Sequence, residues 1–451
     1  MLLIARYVLP ISEPHIENGA VLVRDGKIAD IGLAEKLKAL YPREDIRDFG
    51  LAAIIPGFVD VHTHLEYSAM RGLIYDVPYA AWKLHITEKE KLFTPEDWED
   101  SALLGATEAL RSGVTTVADI TRTGASFRAS RAVGLRGTIY REVATMEKSE
   151  VDRVFNEAVE DINAWRDESD PEYTRIGIAP VSLYNCHPQV IKRIAEYAAD
   201  GTPVACHIAG SREEYDFIRY GSSPFSVHSR EQERGFGIDM PPWLATGTSP
   251  VRYILNWGLF CVPNLLAIHC VQVDDFDIGK IAEYDVAVAI CSRCNAQLAM
   301  GVPPLSKMIK AGIRVGLGTD SPAATDAVSP IFEMRLGLLL QRALGNRSDF
   351  FTAAQMLDLA TLGAARALRI EDQVGSLDVG KNADIVTIDL SNSNQASTHD
   401  PNAAIVHTAS SDNVLMTMVG GKILYDGSNL RDVDTERVLA RVEEMRLKLR
   451  A

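Results

Sequence analysis

The chain has 451 residues, of which 47% are hydrophobic and 24% charged, as is usual for a globular protein with one large domain and a smaller one. Its 61 acidic residues outnumber 46 basic ones, and the net charge of −15 argues against a nucleic-acid backbone or a membrane surface as its partner. No apolar run approaches the roughly 18 residues that span a bilayer, and no signal peptide is recognised at the start. Six cysteines, mostly within apolar runs, favour a reduced protein in the cytoplasm.

The first 54 residues predict part of a small β-domain. Between Asn18 and Gly32 the sequence alternates as a strand, turns at Asp25-Gly26 and continues as a second strand. An Asp-Gly pair between two alternating runs is a strong hairpin signal. We therefore expect residues 1–54 to begin in a β-sheet rather than in helices.

Eight apolar segments rich in β-branched residues follow, separated in several places by amphipathic helical stretches. One such helix is predicted from Pro95 to Ser112, because Thr94 and Pro95 form a start signal and Gly113 a stop. Strand and helix alternating eight times predict an α/β fold, a (β/α)8 TIM barrel over residues 55–374. The predicted strands are Ile54–His64, Val114–Ile120, Thr138–Val143, Arg175–Val181, Pro203–Ala209, Leu265–Val271, Val286–Ser292 and Ile313–Asp320.

The last part of the chain, residues 375–451, is again strand-like. Gly380 to Asp389 reads as one strand, and Val414 to Tyr425 reads as two strands around a Gly420-Gly421-Lys422 turn. We predict that residues 1–54 and 375–451 form one small β-sandwich from both chain ends. A charged surface helix from Thr435 to Arg450 completes the chain.

Metal-ligand residues end four of the predicted barrel strands. The first strand ends in His62-Thr63-His64, and side chains two apart on a strand share a face, so both histidines can chelate one ion. His207, His269 and Asp320 each end a strand of their own. One histidine ending a strand is commonly a core residue, but this recurrence on separate strands predicts a metal site, because barrel enzymes build their sites at those ends.

This residue set indicates the chemistry of a metal-dependent hydrolase. One divalent ion on His62, His64, His207 and Asp320 leaves a position for water, whose pKa a bound ion lowers from about 16 to about 7. Asp320 can accept the proton of that water and pass it to a leaving amine. His269 is either a further ligand or a hydrogen-bond donor to the water or the substrate. Nitrogen and oxygen ligands suit zinc, with iron(II) or manganese as alternatives.

With the barrel, the split β-domain and the ligand order together, the chain resembles the amidohydrolase superfamily, and within it the branch that deaminates adenosine-like compounds, cytosine and triazines. Some longer stretches are similar to aminodeoxyfutalosine deaminases and to methylthioadenosine/adenosylhomocysteine deaminases. The motifs of the superfamily are Pro56–His64, His207-Ile208-Ala209, His269-Cys270-Val271, Gly318–Ser321 and Gly375–Asp384.

The resemblance implies hydrolysis of a non-peptide carbon–nitrogen bond, with a small heterocyclic, purine-like substrate losing ammonia. It favours the hydrogen-bonding role for His269. It also favours one ion, because members with two metals usually carry a lysine on the fourth strand and Ile176–Val181 has none. Relatives are often dimers or larger, so the resemblance allows a homo-oligomer.

The chain departs from this branch at one position that matters for the reaction. Relatives read His-x-x-Glu, and the glutamate protonates the substrate ring, but here the motif is His207-Ile208-Ala209-Gly210. Losing a positioned proton donor costs about 10²- to 10⁴-fold in rate. Three interpretations stay open: a nearby acid such as Glu66 or Glu213 substitutes; the substrate needs no ring protonation, as with another C–N bond or a C–Cl bond; or the protein is a weakly active metal-binding relic.

Two residues after the first strand are candidates for substrate binding. Trp82 could stack on a heteroaromatic ring, although packing as a loop anchor explains it equally well. Glu66, two residues beyond His64, could face the pocket, with a solvated loop glutamate as the rival interpretation. Cys291 and Cys294 form a CxxC without a second pair, and we interpret them as buried thiols rather than as redox or metal ligands.

Overall fold

The protein is described by a computed structural model over residues 1–225, 245–397 and 399–450. It contains two eight-stranded sheets, one built from the chain ends and one from the central part. In these residues no helix is long and apolar enough to cross a membrane.

The N-terminal part contributes five strands to the first sheet. The predicted hairpin is present, and its turn residues Asp25 and Gly26 have φ angles of 50° and 75°, as a tight two-residue turn requires. The strands pair β3-β2-β1-β5, with β4 also pairing with β1. They are β1 (Leu2–Val8), β2 (Ile16–Arg24), β3 (Lys27–Leu33), β4 (Ile46–Asp48) and β5 (Ala52–Pro56).

The central part forms the predicted barrel. Its eight strands are parallel and follow one another in chain order around the sheet, and a bridge between Thr63 and Asp320 joins the last strand to the first. The fold class predicted from the sequence is thus confirmed. The strands are β6 (Phe58–Thr63), β7 (Val114–Thr121), β8 (Arg136–Val143), β9 (Thr174–Pro180), β10 (Val204–Ile208), β11 (Leu265–His269), β12 (Ala287–Ile290) and β13 (Val315–Leu317).

Three C-terminal strands complete the first sheet, because β14 pairs antiparallel with β5. Both ends of this sheet contribute to one apolar cluster, which includes Val23 and Ile28 near one end and Met416 and Met418 near the other. The end sheet therefore has an apolar core of its own. Residues from both chain ends form this core, as predicted. These strands are β14 (Ile385–Asp389), β15 (Val414–Val419) and β16 (Lys422–Tyr425).

One predicted barrel segment, Ile54–His64, belongs to two strands. Its first residues lie in β5 of the end sheet, and the barrel strand β6 begins only after Gly57. A Cβ at Gly57 would lie 2.1 Å from Oγ1 of Thr115, so only glycine fits where the chain passes from one sheet to the other. The apolar run is continuous because both strands are buried.

Helices cover the outside of the barrel. The predicted helix after the first barrel strand runs from Pro95 to Arg111, and the Thr94 hydroxyl accepts a hydrogen bond from the Asp97 amide at its start. The α-helices of the described residues, including those that pack on the end sheet, are Ala34–Leu40, Tyr79–Lys89, Pro95–Arg111, Ala125–Val133, Val151–Glu168, Pro188–Tyr197, Arg212–Tyr220, Pro250–Asn256, Asp275–Glu283, Ser292–Gln297, Leu305–Lys310, Pro322–Thr325, Pro330–Gly345, Ala353–Leu359, Leu362–Ala367, Pro401–Thr408 and Thr435–Arg450.

A buried ion pair connects the two sheets. Arg136, at the start of β8, donates from Nε to Asp384 Oδ2 at 2.9 Å and from a terminal nitrogen to Oδ1 at 3.2 Å. Both side chains are buried, and removing either partner of such a pair costs about 3–5 kcal/mol. The contact lies at the N-terminal end of the barrel strand, opposite the face that carries the predicted ligands.

Candidate metal centre and active site

The predicted ligands converge at the C-terminal ends of the barrel strands. His62 lies in β6, His207 in β10 and His269 at the end of β11, while His64 and Asp320 follow β6 and β13. Two of them adopt the left-handed backbone conformation, with φ angles of 74° at His269 and 61° at Asp320. Non-glycine residues rarely adopt this conformation, and such strain clusters at functional sites, where it re-aims a side chain.

Two histidines present unprotonated nitrogens to each other. Nδ1 of His64 donates to the Ile120 carbonyl at 3.2 Å, and Nδ1 of His207 donates to the Val181 carbonyl at 2.6 Å. The Nε2 atoms therefore carry lone pairs, and they lie only 3.4 Å apart. Two lone pairs at this distance repel each other unless a cation lies between them, which is the arrangement of metal-bound histidines.

His62 and Asp320 complete this group of donors. Nε2 of His62 is buried without a hydrogen-bond partner and lies 3.4 Å from Oδ1 of Asp320. Tetrahedral ligands bound at about 2.1 Å are separated by about 3.4 Å, so this spacing fits a divalent ion. The Asp320 amide donates to the His62 carbonyl at 2.9 Å, which fixes the two residues relative to each other.

The electrostatic environment favours the protonation states that a metal needs. Burial lowers the pKa of His64 to about 3 and that of His269 to about 4, and it holds the pKa of His207 well below its usual value. Burial disfavours the charged form of Asp320, yet the neighbouring His62 holds the pKa of this carboxyl well below its usual range. Neutral imidazoles beside an ionised carboxylate are the forms that bind a divalent ion.

Two buried aspartates fix the segments that carry these ligands through hydrogen bonds. Asp60 accepts hydrogen bonds from the amide and hydroxyl of Thr319 at 2.9 and 2.6 Å, which couples β6 to the segment that carries Asp320. Asp119 accepts from the Thr63 hydroxyl and the Leu65 amide, both at 2.7 Å, and so fixes the turn at His64. Burial raises the pKa of Asp60 to about 6 and that of Asp119 to about 8.

A small cavity adjoins the donors, and several aromatic side chains lie in its wall. Trp82 lies on the helix Tyr79–Lys89, lines this cavity, and donates its indole N–H to the Ala323 carbonyl at 3.2 Å. The Tyr79 and Tyr184 hydroxyls lie 2.7 Å apart across it. The cavity measures about 40 Å³, which holds a few water molecules. It is lined by His64, Tyr67, Tyr79, Trp82, Lys83, Ile86, Glu142, Val181, Ser182, Tyr184, His207, His269, Cys294, Asp320 and Ser321.

Glu66, expected to face the pocket, has its carboxylate elsewhere. It accepts hydrogen bonds from the Thr121 hydroxyl at 2.8 Å, the Arg122 amide at 2.7 Å and the Thr123 hydroxyl at 2.9 Å. The side chain is fully buried and is not among the described residues that line the cavity. Glu66 therefore fixes the loop after β7. Its position differs from both interpretations made from the sequence, which were a residue facing the pocket and a solvated loop glutamate.

The turn after β10 contains Gly210, the position at which the resemblance leads us to expect a glutamate. A Cβ at Gly210 would lie 3.1 Å from Cδ2 of His269 and 2.9 Å from Cε of Met300, so a side chain there would begin beside the site. The Glu214 carboxylate accepts from the amides of Ala209 at 3.0 Å and Gly210 at 2.9 Å, and thus fixes the turn. Glu213, a candidate substitute acid, is not among the described cavity residues.

Glu142 is a candidate that the sequence analysis missed. It lies near the end of β8 and is, with Asp320, one of the two carboxyl groups among the described residues that line the cavity. Burial raises its pKa to about 7, while Lys83 opposes this increase. The signal was available, because Glu142 is a polar residue at the C-terminal end of a barrel strand, where the other candidates were found.

Comparison with known proteins assigns the family. Residues 53–424 match the amidohydrolase family, and residues 19–43 match an imidazolonepropionase-like composite domain of bacteria. The 5-methylthioadenosine/S-adenosylhomocysteine deaminase of Symbiobacterium thermophilum is 31% identical over 96% of this chain and 94% of its own, and that of Moorella thermoacetica is 28% identical over 96% of both. The chain belongs to the amidohydrolase family.

Solved structures agree with this assignment. A zinc-bound adenosine deaminase from Xanthomonas campestris superposes with a TM-score of 0.86 at 27% identity, over 100% of this chain and 98% of its own. A zinc complex of atrazine chlorohydrolase from Arthrobacter aurescens has the same fold, with a TM-score of 0.83 at 24% identity over 98% and 99%. The prediction of a hydrolase that acts on carbon–nitrogen bonds other than peptide bonds is confirmed at the level of the family.

Proposed function

We propose that this protein hydrolyses an amino-substituted, purine-like heterocycle and releases ammonia, with one zinc ion bound by His62, His64, His207 and Asp320. The observation that carries the proposal is the pair of facing Nε2 atoms of His64 and His207, 3.4 Å apart, with Asp320 beside His62. The zinc in the adenosine deaminase to which the chain is similar supports this metal. A bound zinc ion would lower the pKa of a coordinated water to about 7.

Asp320 and His269 handle the protons and the orientation of the reactants. Oδ2 of Asp320 lies 3.7 Å from Nε2 of His269, so both groups face the same small space. Asp320 is ionised and accepts the proton of the attacking water, then gives it to the leaving amine. Water adds to the carbon that carries the amino group, the C–N bond breaks, and ammonia leaves. His269 orients the water or the substrate through a hydrogen bond.

Glu142 supplies the ring proton that Gly210 cannot. Its carboxyl lines the same cavity as Asp320, and a pKa of about 7 keeps a large fraction protonated at neutral pH. A general acid works best when its pKa lies near the working pH. Lys83, which also lines the cavity, pairs with the carboxylate once the proton has been transferred.

The substrate is a flat heterocycle held between aromatic side chains. Trp82 and Tyr79 stack with a ring separation of 6.2 Å and an interplanar angle of 24°, and they form one wall beside the metal centre.

An ammonia-release screen with metal analysis tests the proposal. The substrates are adenosine, 5-methylthioadenosine, S-adenosylhomocysteine, aminodeoxyfutalosine, guanine and cytosine, and a triazine series is assayed for chloride as well as ammonia. We expect ammonia from at least one aminopurine, and no ammonia after chelation. If the metal-loaded protein releases no ammonia from any of them, the proposal fails.

A second candidate function is hydrolysis of a bond whose carbon needs no ring protonation, such as a C–Cl bond or another C–N bond. Gly210 favours it, because the position offers no proton donor. Chloride release from a chlorotriazine, or a carboxylate product from an amide, combined with no ammonia from aminopurines, would select this candidate over deamination.

The remaining expectations concern location and assembly. All six cysteines are free thiols, which supports a reducing compartment, and we propose the cytoplasm. We also propose a homo-oligomer with no nucleic-acid or membrane partner, in keeping with the charge of −15. Light scattering of the purified protein tests the assembly, and a monomer at all concentrations would contradict it.

A further inference from the structure

A second small cavity lies at the N-terminal end of the barrel strands, opposite the candidate metal centre. Three arginines line it, and no carboxyl group is among the described residues of its wall. In a chain with a net charge of −15, positive charge is thus concentrated at this cavity. The lining residues are Tyr140, Arg175, Pro203, Asn264, Leu265, Leu266, Arg314, Ala367, Leu368 and Arg369.

Two of these arginines share one counter-charge. Arg314, just before β13, donates from Nε to Oδ1 of Asp285 at 3.1 Å. Arg369, which follows the helix Leu362–Ala367, donates to Oδ2 of the same carboxylate. Asp285 therefore balances the charge of only one of the two guanidinium groups, and the wall of the cavity keeps an excess of positive charge.

The third arginine, Arg175 at the start of β9, has only neutral hydrogen-bond partners among the described residues. It donates to the Thr138 hydroxyl at 2.9 Å and to the Leu368 carbonyl at 2.7 Å. Burial lowers the pKa of its guanidinium, which Glu371 opposes without forming an ion pair. Arg136, at the start of the neighbouring strand β8, pairs with a buried carboxylate instead. The charge of Arg175 therefore lacks the counter-ion that buried charges usually have.

Tyr140 lies beside Arg175 on one face of the barrel wall. In the register of β8 and β9, Thr138 lies opposite Arg175 and Tyr140 lies opposite Gly177, and residues two apart on a strand share a face. A Cβ at Gly177 would lie 2.7 Å from Cδ1 of Tyr140, so the glycine leaves room for the ring. Tyr140 is 2% exposed, and its hydroxyl has no hydrogen-bond partner among the described residues. The cavity thus brings together a buried hydroxyl donor and a guanidinium.

We propose that Arg175 and Tyr140 bind a chloride ion in this cavity, and that the bound anion stabilises the barrel. Chloride would balance the charge of Arg175 and accept a hydrogen bond from the Tyr140 hydroxyl, which otherwise stays unsatisfied at a cost in stability. The cavity measures about 10 Å³, roughly the space that one water-sized particle needs. A monatomic anion therefore fits the cavity better than sulfate or phosphate.

Thermal unfolding of the zinc-loaded protein tests the site. Sodium chloride replaces sodium gluconate at constant ionic strength, because gluconate is too large for the cavity and general screening stays the same. Above the dissociation constant, we expect the unfolding midpoint to rise by about 1–2 °C for each tenfold increase in chloride, as follows for a ligand of the folded state in a chain of this size. Bromide should act in the same way, and its anomalous diffraction should locate it between Arg175 and the Tyr140 hydroxyl.

Three variants assign the response to these residues. Arg175→Gln should lose the chloride-dependent shift. Tyr140→Phe keeps the ring and should need about tenfold more chloride for the same shift, so it tests the site even if Arg175→Gln does not fold. Arg366→Gln is the matched control, because Arg366 lies close in sequence to Leu368 but is near Asp358 and does not line the cavity. It should keep the full response.

Several results would overturn the inference. These are a midpoint that does not depend on chloride, a shift that persists in Arg175→Gln, and an equal shift with sulfate at matched ionic strength. Bromide peaks only on the protein surface would mean an adventitious ion only. Ammonia release depends on the opposite end of the barrel, so the proposed function stands or fails independently of these results.

Discussion

The metal-binding half of the candidate site and its substrate-facing half are built from different parts of the fold. The ligands His62 and His207 belong to barrel strands, the Val181 carbonyl accepts a hydrogen bond from His207, and the buried Asp60 carboxylate fixes the segment that carries Asp320. The substrate-facing half consists of Trp82 and Tyr79 on the helix Tyr79–Lys89, together with Glu142 and Lys83 in the cavity lining. The strand ends fix a geometry that the metal requires, whereas the outer wall is free to vary with the substrate.

The two halves also differ in how their charges are arranged. In the metal half, burial keeps the imidazoles of His64 and His269 neutral, and His62 keeps Asp320 ionised. In the substrate half, burial holds Glu142 near its titration point, with a pKa of about 7. Changes in the first half should abolish turnover at every pH, whereas changes in the second should alter rate, pH dependence or substrate preference.

Removing the metal is the largest expected effect. Treatment with a chelator should abolish ammonia release, because His62, His64, His207 and Asp320 cannot activate water without an ion. Adding one equivalent of zinc to the stripped protein should restore the rate. Full activity in a preparation shown by elemental analysis to lack metal would contradict the account.

Asp320→Asn should reduce ammonia release by about 10²- to 10⁴-fold, because the amide cannot accept the proton of the attacking water. Zinc content is measured in parallel to separate lost chemistry from lost binding. Glu66→Gln is the matched control, since Glu66 contacts the loop after β7 rather than the cavity. Equal losses in both variants would place Asp320 outside the chemistry.

Glu142→Gln should reduce the rate by about 10²-fold and change its pH profile, since general acids contribute about 10²- to 10⁴-fold. The carboxyl is protonated below its pKa of about 7, so wild-type activity should fall as the pH rises through 7. This decrease should be absent from the variant. A wild-type profile that is flat from pH 6 to about 8 would contradict the role of Glu142.

Gly210→Glu should raise aminopurine deamination, because it restores a carboxyl group beside His269. Met300 Cε would lie 2.9 Å from the new Cβ, so the gain should be larger when Met300→Ala is added. Rates of the single and double variants on each active aminopurine provide the measurement. No increase in either variant would mean that the absence of a carboxyl group at position 210 is not what limits deamination.

Trp82→Ala should have the smallest effect and act mainly on KM. Loss of one stacked aromatic contact costs about 0.5–1.5 kcal/mol, which corresponds to an increase in KM of roughly two- to tenfold. Trp82→Phe should recover most of this loss. A decrease in kcat with unchanged KM would mean that Trp82 acts on the reaction itself rather than on binding.

The metal half could be predicted from the sequence because each of its residues ends a recognisable apolar strand. The Asp25-Gly26 hairpin was likewise predictable from a local signal. The change of sheet at Gly57 was not, because β5 and β6 are both buried and form one apolar run. The partners of Glu66 lie 55 to 57 residues away in sequence, and no local pattern reports such contacts.

The substrate half was predicted less well, because its residues come together only in the folded chain. Trp82 lies in the cavity lining, where its stacking role stays a prediction, while Glu142 was overlooked. Cavity size also depends on how the helix Tyr79–Lys89 packs on the barrel, which composition and periodicity do not determine.

Anomalous diffraction at the zinc absorption edge, from crystals of protein loaded with one equivalent of zinc, tests the central claim most directly. The account predicts one strong peak about 2.0–2.2 Å from Nε2 of His62, His64 and His207 and from Oδ1 of Asp320. A peak elsewhere in the molecule, or no peak at this position in zinc-loaded protein that releases ammonia, would contradict it.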